Sequence, residues 1–358
     1  MLTSDPSPNT STGLESLLGM RPVDLHDYLV GRGVSARLDQ CRRLLGHVVS
    51  EGLSDPYATR KPLARSFVRD AMTHCELDRL EVVDRVTDNS DGFVKYLFRS
   101  PDGALTEAVR IPLAKKDCFT VCLSSQVGCA MQCVFCATGR LGLTRNLRPW
   151  EMVAAALTVR DEAPGRVTGA VFMGQGEPLH NYDHVIRAAQ ILNDPCGGRI
   201  SAEAISISTV GLLPAIRRYT EEGHPFRLII SLTSAIAEKR LRLLPVAGRW
   251  PIEEVAETIR AHAASRGGRT TVAWVLMEGL NTGQDEVDAL QRLLGDVPLR
   301  LNLIDVNDAR EDGFSAPSDV ERARLMNSLQ VLGMPIVRRY SGGKQEHAAC
   351  GMLASRGA

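Results

Sequence analysis

The sequence predicts an α/β fold: a partial, open (βα)6 barrel behind a small N-terminal helical domain. Three observations carry that expectation. From about residue 119 onward, short runs rich in β-branched residues alternate with helix-length amphipathic stretches six times. Six such units fall short of the eight that close a full barrel. Before residue 79 the apolar residues recur instead at three and four positions, which is a helical period.

Residues 1–13 are polar and predict a mobile tail. Leu14, Leu17 and Leu18, then Leu25, Tyr28 and Leu29, then Leu38, Cys41, Leu44, Leu45 and Val48 predict an accessory helical domain over 14–82. Strands are expected at 79–87, 93–98 and 106–111, so residues 83–117 read as a β linker or extension. The barrel is expected over 118–340. Its strands fall at 119–123, 168–173, 202–208, 227–232, 270–276 and 299–305. Helices are expected at 148–160, 184–192, 212–222, 252–264 and 286–294, with a final one at 318–332. Residues 341–358 form a C-terminal tail. Interleaved helices imply a parallel sheet buried on both faces, with its site at the C-terminal ends of the strands.

Of 358 residues, 44% are hydrophobic and 23% charged, which supports a sizeable core and excludes a disordered chain. Lys and Arg number 42, as do Asp and Glu, so the formal net charge is +0. That balance excludes a polycation. Contact with nucleic acid must use a local basic patch, for which Arg140, Arg145 and Arg148, and Arg338, Arg339 and Lys344, are candidates. No apolar run reaches the ~18 residues of a membrane span. The N-terminus has no secretory pattern, so a cytoplasmic location with reduced thiols is expected.

The cysteines are lopsided. Nine are present, five of them between 118 and 136. An odd number argues against a disulfide framework. Cys129, Cys133 and Cys136 give C-x3-C-x2-C directly after the first barrel strand. Three thiolates can hold three irons of a [4Fe-4S] cube and leave the fourth iron to an exogenous chelator. A structural zinc site is the alternative, and it needs a fourth Cys or His. Phe135 can shield such a centre from water. The second barrel strand runs into Gly174-Gln175-Gly176-Glu177-Pro178. Two glycines permit close backbone approach to a ligand, and Glu177 can accept hydrogen bonds from an ammonium group. The same residues also suit a tight strand-to-helix turn. Leu179 replaces the third glycine of a dinucleotide fingerprint. His180 and His184 have metal-ligand spacing, but Asn181 stands where a zincin has glutamate, and Gly342-Gly343-Lys344 lacks the Ser/Thr of a phosphate loop. Cys41, Cys75 and Cys196 read as packing residues.

The cysteine motif with the glycine–glutamate loop resembles the radical S-adenosylmethionine (SAM) superfamily. More narrowly, the chain resembles the RlmN/Cfr family of RNA adenine methyltransferases. The matching segments are Cys122-Leu-Ser-Ser-Gln-Val-Gly-Cys129, Thr144-Arg-Asn-Leu147, Met173-Gly-Gln-Gly-Glu-Pro-Leu179, Ile207-Ser-Thr-Val-Gly211, Ile230-Ser-Leu232, Asn302-Leu-Ile304 and Ala348-Ala-Cys350-Gly351. The sequence differs from the usual pattern at Gln175, where Met is common, at Thr233, where His is common, and at Asp305-Val306, where Pro-Trp is common.

The resemblance implies a [4Fe-4S] cluster on Cys129, Cys133 and Cys136. It implies a SAM pocket formed by Gly176, Glu177, Ser208, Ser231, Leu232, Thr233 and Asn307. It makes Cys350 the methyl carrier, Cys122 the resolving cysteine in a transient disulfide with Cys350, and Glu107 the proton acceptor. Cys118 is the rival for the role of Cys122. The implied function is methylation of an adenine carbon, C2 in preference to C8, in 23S ribosomal RNA, with transfer RNA a further candidate. An electron donor such as flavodoxin or ferredoxin, no membrane, and a monomeric chain go with it. The competing readings are the same radical machinery on a non-RNA substrate, and a zinc-stabilised RNA-binding protein without catalysis.

Overall fold

A computed structural model of the chain describes residues 14–58, 62–267, 270–308, 310, 313–339, 342–344 and 346–354. The expected tail at 1–13 lies outside them.

Alternation of apolar strands and amphipathic helices produces one ten-stranded sheet. Cys118–Leu123, Arg166–Phe172, Ile205–Thr209, Arg227–Ser231, Thr270–Leu276 and Leu299–Asp305 pair in parallel in that order. These are the six predicted barrel strands. A seventh parallel strand, Ile336–Arg339, extends the far edge. At the other edge Leu105–Pro112, Val94–Arg99 and Glu81–Thr87 add on antiparallel. The segment that reads as a linker is therefore continuous with the barrel sheet. Hairpin turns let consecutive strands join an edge at small loop-closure cost.

The strand interiors are fully buried at Val121, Phe172, Ile205, Ile207, Ile230, Val272 and Leu301, as expected of parallel strands covered on both faces. The covering helices are Pro149–Asp161, Tyr182–Asn193, Leu213–Glu222, Ile252–Arg266, Gln284–Leu294 and Asp319–Leu329. The first begins with proline at its first turn, and the Glu151 side chain accepts from the Arg148 backbone N–H at 2.8 Å. Leu213–Glu222 stops at Gly223, whose φ of 64° lies in the left-handed region that favours glycine. Among the short elements that escape the sequence reading are the helix Ala237–Leu243, the strand Ile336–Arg339, and the hairpin of Gln126–Cys129 with Gly142–Asn146. None is long enough to show a period.

The N-terminal helices Pro22–Val30, Leu38–Leu45 and Arg65–His74 bury Leu25, Leu29, Cys41, Leu44, Phe67 and Ala71 in a hydrophobic core continuous with the barrel's. Arg160 reinforces the junction by donating to the carbonyls of Val49 at 2.9 Å and Ser50 at 3.1 Å. No described helix is long and apolar enough to cross a membrane.

The outer helical layer carries an acid-sensitive point. His262 is buried, and its Nδ1 lies 2.8 Å from Thr220 Oγ1. Burial, helped by the Arg266 charge, pulls its pKa down from 6.5 to about 4. The unfolded chain binds a proton near pH 6.5 that the folded chain refuses until about pH 4. Stability held by the neutral ring is thus full above pH 6.5 and lost as pH falls toward 4, by up to about 3 kcal/mol. Urea titrations at pH 7 and pH 4.5 are expected to show a smaller acid loss in His262→Gln than in the unmodified chain. Equal losses would remove His262 from this role.

Candidate active site at the strand ends

The cysteine loop starts where the hairpin ends. Cys129 closes Gln126–Cys129, which pairs back on Gly142–Asn146. The pairing needs Gly128, since a Cβ there would lie 1.9 Å from the Gly142 carbonyl oxygen. The loop then turns tightly, with the Cys136 N–H donating to the Cys133 carbonyl at 3.1 Å and the Met131 N–H pointing at Cys129 Sγ at 3.5 Å. Burial pushes the Cys129 thiol up to about 12, and the Glu177 and Cys136 charges push the same way. Burial and the charges of Cys136 and Cys129 push the Cys133 thiol well above its ordinary value.

Three bare thiolates would therefore repel one another here. A cationic core reverses that balance, because a coordinating thiol is deprotonated outright. The donor set is all sulfur, which suits iron–sulfur or zinc. A cube takes each thiolate on a different iron and can leave the fourth iron open, so a triplet suffices, whereas a structural zinc ion needs a fourth Cys or His. The three cysteines fit such a cube.

The three cysteines face one cavity of about 150 Å³ with Gly176, Glu177, Ser208 and Ser231, all at or just beyond strand ends. Glu177 is buried and held from both sides: Oε1 accepts from Leu179 N–H at 2.9 Å and Oε2 from Val210 N–H at 2.8 Å. Burial raises its pKa to about 7. A cationic ligand in the cavity would keep it ionised. Gly176 has φ 99°, and a Cβ on it would sit 2.6 Å from Gln126 Cβ, so only glycine lets this turn pass. The other three predicted pocket residues stand back from the cavity wall. Leu232 donates its N–H to the Ala273 carbonyl at 3.0 Å. Thr233 is buried in a left-handed conformation (φ 63°), with its carbonyl accepting from Asn281 Nδ2 at 2.7 Å. Asn307 Nδ2 donates to the Cys350 carbonyl at 3.2 Å and so holds the C-terminal tail.

That tail completes the site. The Ala137 N–H donates to the Gly351 carbonyl at 2.8 Å, and Thr138 Oγ1 donates to the Leu353 carbonyl at 2.6 Å. Cys350 lines the cavity: its surface opens onto that space while packed protein surrounds it. Burial raises its thiol pKa, the nearby Cys136 adds to the rise, and Arg339 opposes it. Cys122 is buried with Phe93, Val109, Val171, Ala348 and Leu353. Burial pushes its thiol up to about 12, and the Cys350 charge contributes to the rise. Cys122 and Cys350 thus sit within electrostatic reach of each other. Cys118 begins the same strand, opposite Arg166 at the far end. All nine cysteines are free thiols.

Glu107 lies one strand over from Cys122, with Val109 opposite Cys122 in the register. It is buried, not on a solvated face. Its carboxylate meets Lys95 Nζ at 3.6 Å and Gln175 Nε2 at 3.3 Å. Burial raises its pKa, and Lys95 opposes the rise. In sequence the Lys95 contact has strand register as its signal, because Lys95 pairs with Val109 and Leu97 with Glu107, whereas Gln175 lies in a loop outside the strands and has none.

The basic patch is smaller than the sequence suggests. Arg145 is spent on Asp102 and Glu151, with contacts of 2.6 to 3.0 Å. Arg338 pairs with Asp305 at 3.1 Å, and Arg339 donates to Met173 Sδ at 3.4 Å. Arg140 and Lys344 are exposed. His180 Nδ1 lies 3.1 Å from Gln126 Nε2 and His184 Nδ1 lies 3.1 Å from the Leu147 carbonyl, so these rings bond to the protein.

Residues 123–293 match the radical SAM superfamily. The chain is 48% identical over 332 residues to a probable RNA methyltransferase of Anaeromyxobacter sp. (strain Fw109-5), covering 91% of this chain and 96% of that protein. It is 36% identical over 339 residues to the dual-specificity RNA methyltransferase RlmN of Syntrophotalea carbinolica, covering 93% and 88%. The chain belongs to the RlmN-type methyltransferases of the radical SAM superfamily. This RlmN-type chain also superposes on the crystal structure of a radical SAM methyltransferase from Sphaerobacter thermophilus, with TM-score 0.87, 33% identity and coverage of 96% and 100%. The superfamily match contains the cysteine triplet and the glycine–glutamate loop, whereas Glu107, Cys122 and Cys350 lie outside it. Family membership brings a [4Fe-4S] cluster and SAM to the chain.

Proposed function

We propose that this RlmN-type enzyme methylates an adenine carbon, C2 in preference to C8, in 23S ribosomal RNA, with transfer RNA as a second candidate substrate. The observation that carries the reading is the meeting of Cys350 and the cysteine triplet around one cavity, with Cys122 buried beside it against Ala348 and Leu353 of the same tail. Both RNA methyltransferase relatives span nearly the whole chain, which favours RNA over another substrate. The reading includes a cytoplasmic, monomeric enzyme served by a flavodoxin- or ferredoxin-like donor.

Cys129, Cys133 and Cys136 would hold the cluster, and Gly176, Glu177, Ser208 and Ser231 would line the SAM pocket, with Leu232, Thr233 and Asn307 supporting its walls. When bound, the cluster supplies the electron that cleaves SAM reductively to a carbon radical. Adenine C2 and C8 are poor nucleophiles, so direct methyl transfer from a sulfonium fails. Cys350 would therefore carry on its sulfur a methyl group taken from one SAM molecule, where a hydrogen can be abstracted and the resulting methylene radical joined to the base. Glu107 would accept the ring proton, and the unpaired electron left on the adduct would return to the oxidised cluster. Cys122, as thiolate, would then attack the Cys350 sulfur: the S–S bond forms as the sulfur–methylene bond breaks, and its electron pair leaves on the product carbon, which takes up a proton. Buried walls keep water away from these steps.

Comparison of adenosines in RNA from a strain lacking the protein, with and without this chain restored, tests the reading. A new methyladenosine in 23S RNA is expected. Unchanged adenosine throughout would sink it. Two smaller tests follow from the geometry. Gly176→Ala must move Gln126 or leave a strained turn, so SAM binding by equilibrium dialysis should weaken about tenfold or more. Unaltered affinity would take Gly176 out of the pocket. Glu107 acts only when deprotonated, and burial raises its pKa. Turnover should therefore fall on acidification at a higher pH than an ordinary carboxylate gives, and Glu107→Gln should lose that limb together with the activity. A Glu107→Gln enzyme with normal turnover would dismiss it as the base.

A further inference from the structure

The strand Val94–Arg99 carries a lysine, Lys95, that is more than half withdrawn from solvent, which is uncommon for this residue. Strand register explains what it meets. Leu97 pairs with Glu107, and Lys95 lies two positions from Leu97, so its side chain shares a face with Glu107 and reaches it diagonally. Lys95 Nζ lies 3.6 Å from Glu107 Oε1, with 17% of the lysine side chain exposed. Gln175 grips the same residue twice: its Nε2 donates to Glu107 Oε2 and its Oε1 accepts from the Glu107 N–H, both at 3.3 Å. Ser124 Oγ donates to the Glu107 carbonyl at 2.5 Å and accepts from the Gln175 N–H at 3.0 Å. The strand on the other side brings the Cys122 thiol, and the tail that carries Cys350 brings the Ala354 N–H to the carboxylate. Among the described residues, Lys95 is the one charged side chain that pairs with Glu107.

Enclosure works against this acid. Burial favours the neutral carboxyl, and a carboxyl that is already protonated cannot take a proton from the adduct. A cation 3.6 Å away, in a poorly solvated place, offsets that penalty. We propose that Lys95 is a positioning residue of the methylation: its ammonium fixes the Glu107 carboxylate and keeps it free to accept, while Gln175 sets the orientation of the group. The inference rests on Glu107 as the proton acceptor of the proposed function. In this role Lys95 makes no bond to the substrate and keeps its own protons. When Glu107 takes the ring proton, the ion pair becomes an ammonium beside a neutral acid, and that proton passes to water before the next turnover.

Single-turnover methylation of 23S ribosomal RNA over a range of pH tests this, using anoxically reconstituted enzyme methylated beforehand at Cys350. Lys95→Met removes the charge and keeps the length of the side chain, whereas Lys95→Arg keeps the charge. The acid limb of Lys95→Met should lie about one pH unit or more above that of the unmodified enzyme, so turnover falls about tenfold on the acid side and recovers at alkaline pH. Lys95→Arg should keep the limb near its original place. An unmoved limb in Lys95→Met overturns the proposal, and so does a loss equal at every pH, which a merely structural role would give. A Lys95→Arg limb as high as that of Lys95→Met overturns it too, since charge would then not matter. Infrared difference spectra against Glu107→Gln give a reading that needs no turnover. The protonated-carboxyl band of Glu107 should persist to higher pH in Lys95→Met, and equal titrations overturn the proposal. Should Lys95→Met not fold, Lys95→Gln replaces it in both measurements. Normal turnover by Glu107→Gln refutes the assignment of Glu107 itself, and the infrared titration separates that failure from a failure of the Lys95 pair.

Discussion

Replacing Cys350 by alanine is expected to abolish adenosine methylation, by about a thousandfold or more, while iron and sulfide content stay at wild-type levels. The two halves of that result have separate causes. The loss follows because alanine offers no sulfur to carry a methyl group, and neither neighbour of residue 350, Ala349 or Gly351, has one to substitute. The retention follows from how the tail is held. Asn307 bonds the backbone carbonyl of residue 350, Ala137 bonds that of Gly351, and Thr138 bonds that of Leu353. None of these contacts uses the Cys350 side chain. The triplet sits on its own hairpin-anchored loop. Methylation assays beside iron analysis and reduced-state EPR decide it. Methylation that survives in Cys350→Ala would end the carrier role.

Cys122→Ala should produce a different lesion: a protein–RNA adduct that accumulates instead of product. Intact-mass measurement or denaturing gels after incubation with RNA would show it as a covalent shift. The argument is positional. Cys122 pairs with Val109 and Val171 in the middle of the sheet, and its side chain packs with Ala348 and Leu353 of the tail. It is thereby the strand cysteine within reach of Cys350. Loss of one buried sulfur costs stability of the order of 1 kcal/mol, too little to explain a covalent trap. Cys118→Ala, at the far end of the strand, should turn over normally. Free product released by Cys122→Ala, or an adduct from Cys118→Ala, would overturn the assignment.

Much of the fold is legible because burial imposes pattern. Six strands with continuous apolar interiors and six helices with one apolar face follow from the periods of two and 3.6. The strand Thr270–Leu276 and the strand Leu299–Asp305 match expectation at both ends. The hairpin that carries Cys129 is invisible at that level, since four residues cannot display a period and Gly128 and Gly142 read as a loop. The basic candidates fared unevenly for a related reason. A guanidinium looks the same in sequence whether it faces solvent or, like Arg145, closes on Glu151 inside the protein. Glu107 shows the converse: strand propensity suggests a solvated face, and only the neighbouring strands and Gln175 reveal that it is enclosed.

By itself the sequence determined the triplet, because cysteines three and four positions apart remain neighbours whatever the chain does around them. It also determined which strand end would face a ligand, since a run of parallel units puts every such end on one side. The folded sheet and tail bring Ala348 and Leu353, most of the chain away, to pack on Cys122. Contacts of that kind arise from sheet register and from how the tail docks. No local pattern records them, because the energy that fixes them comes from residues distant in sequence.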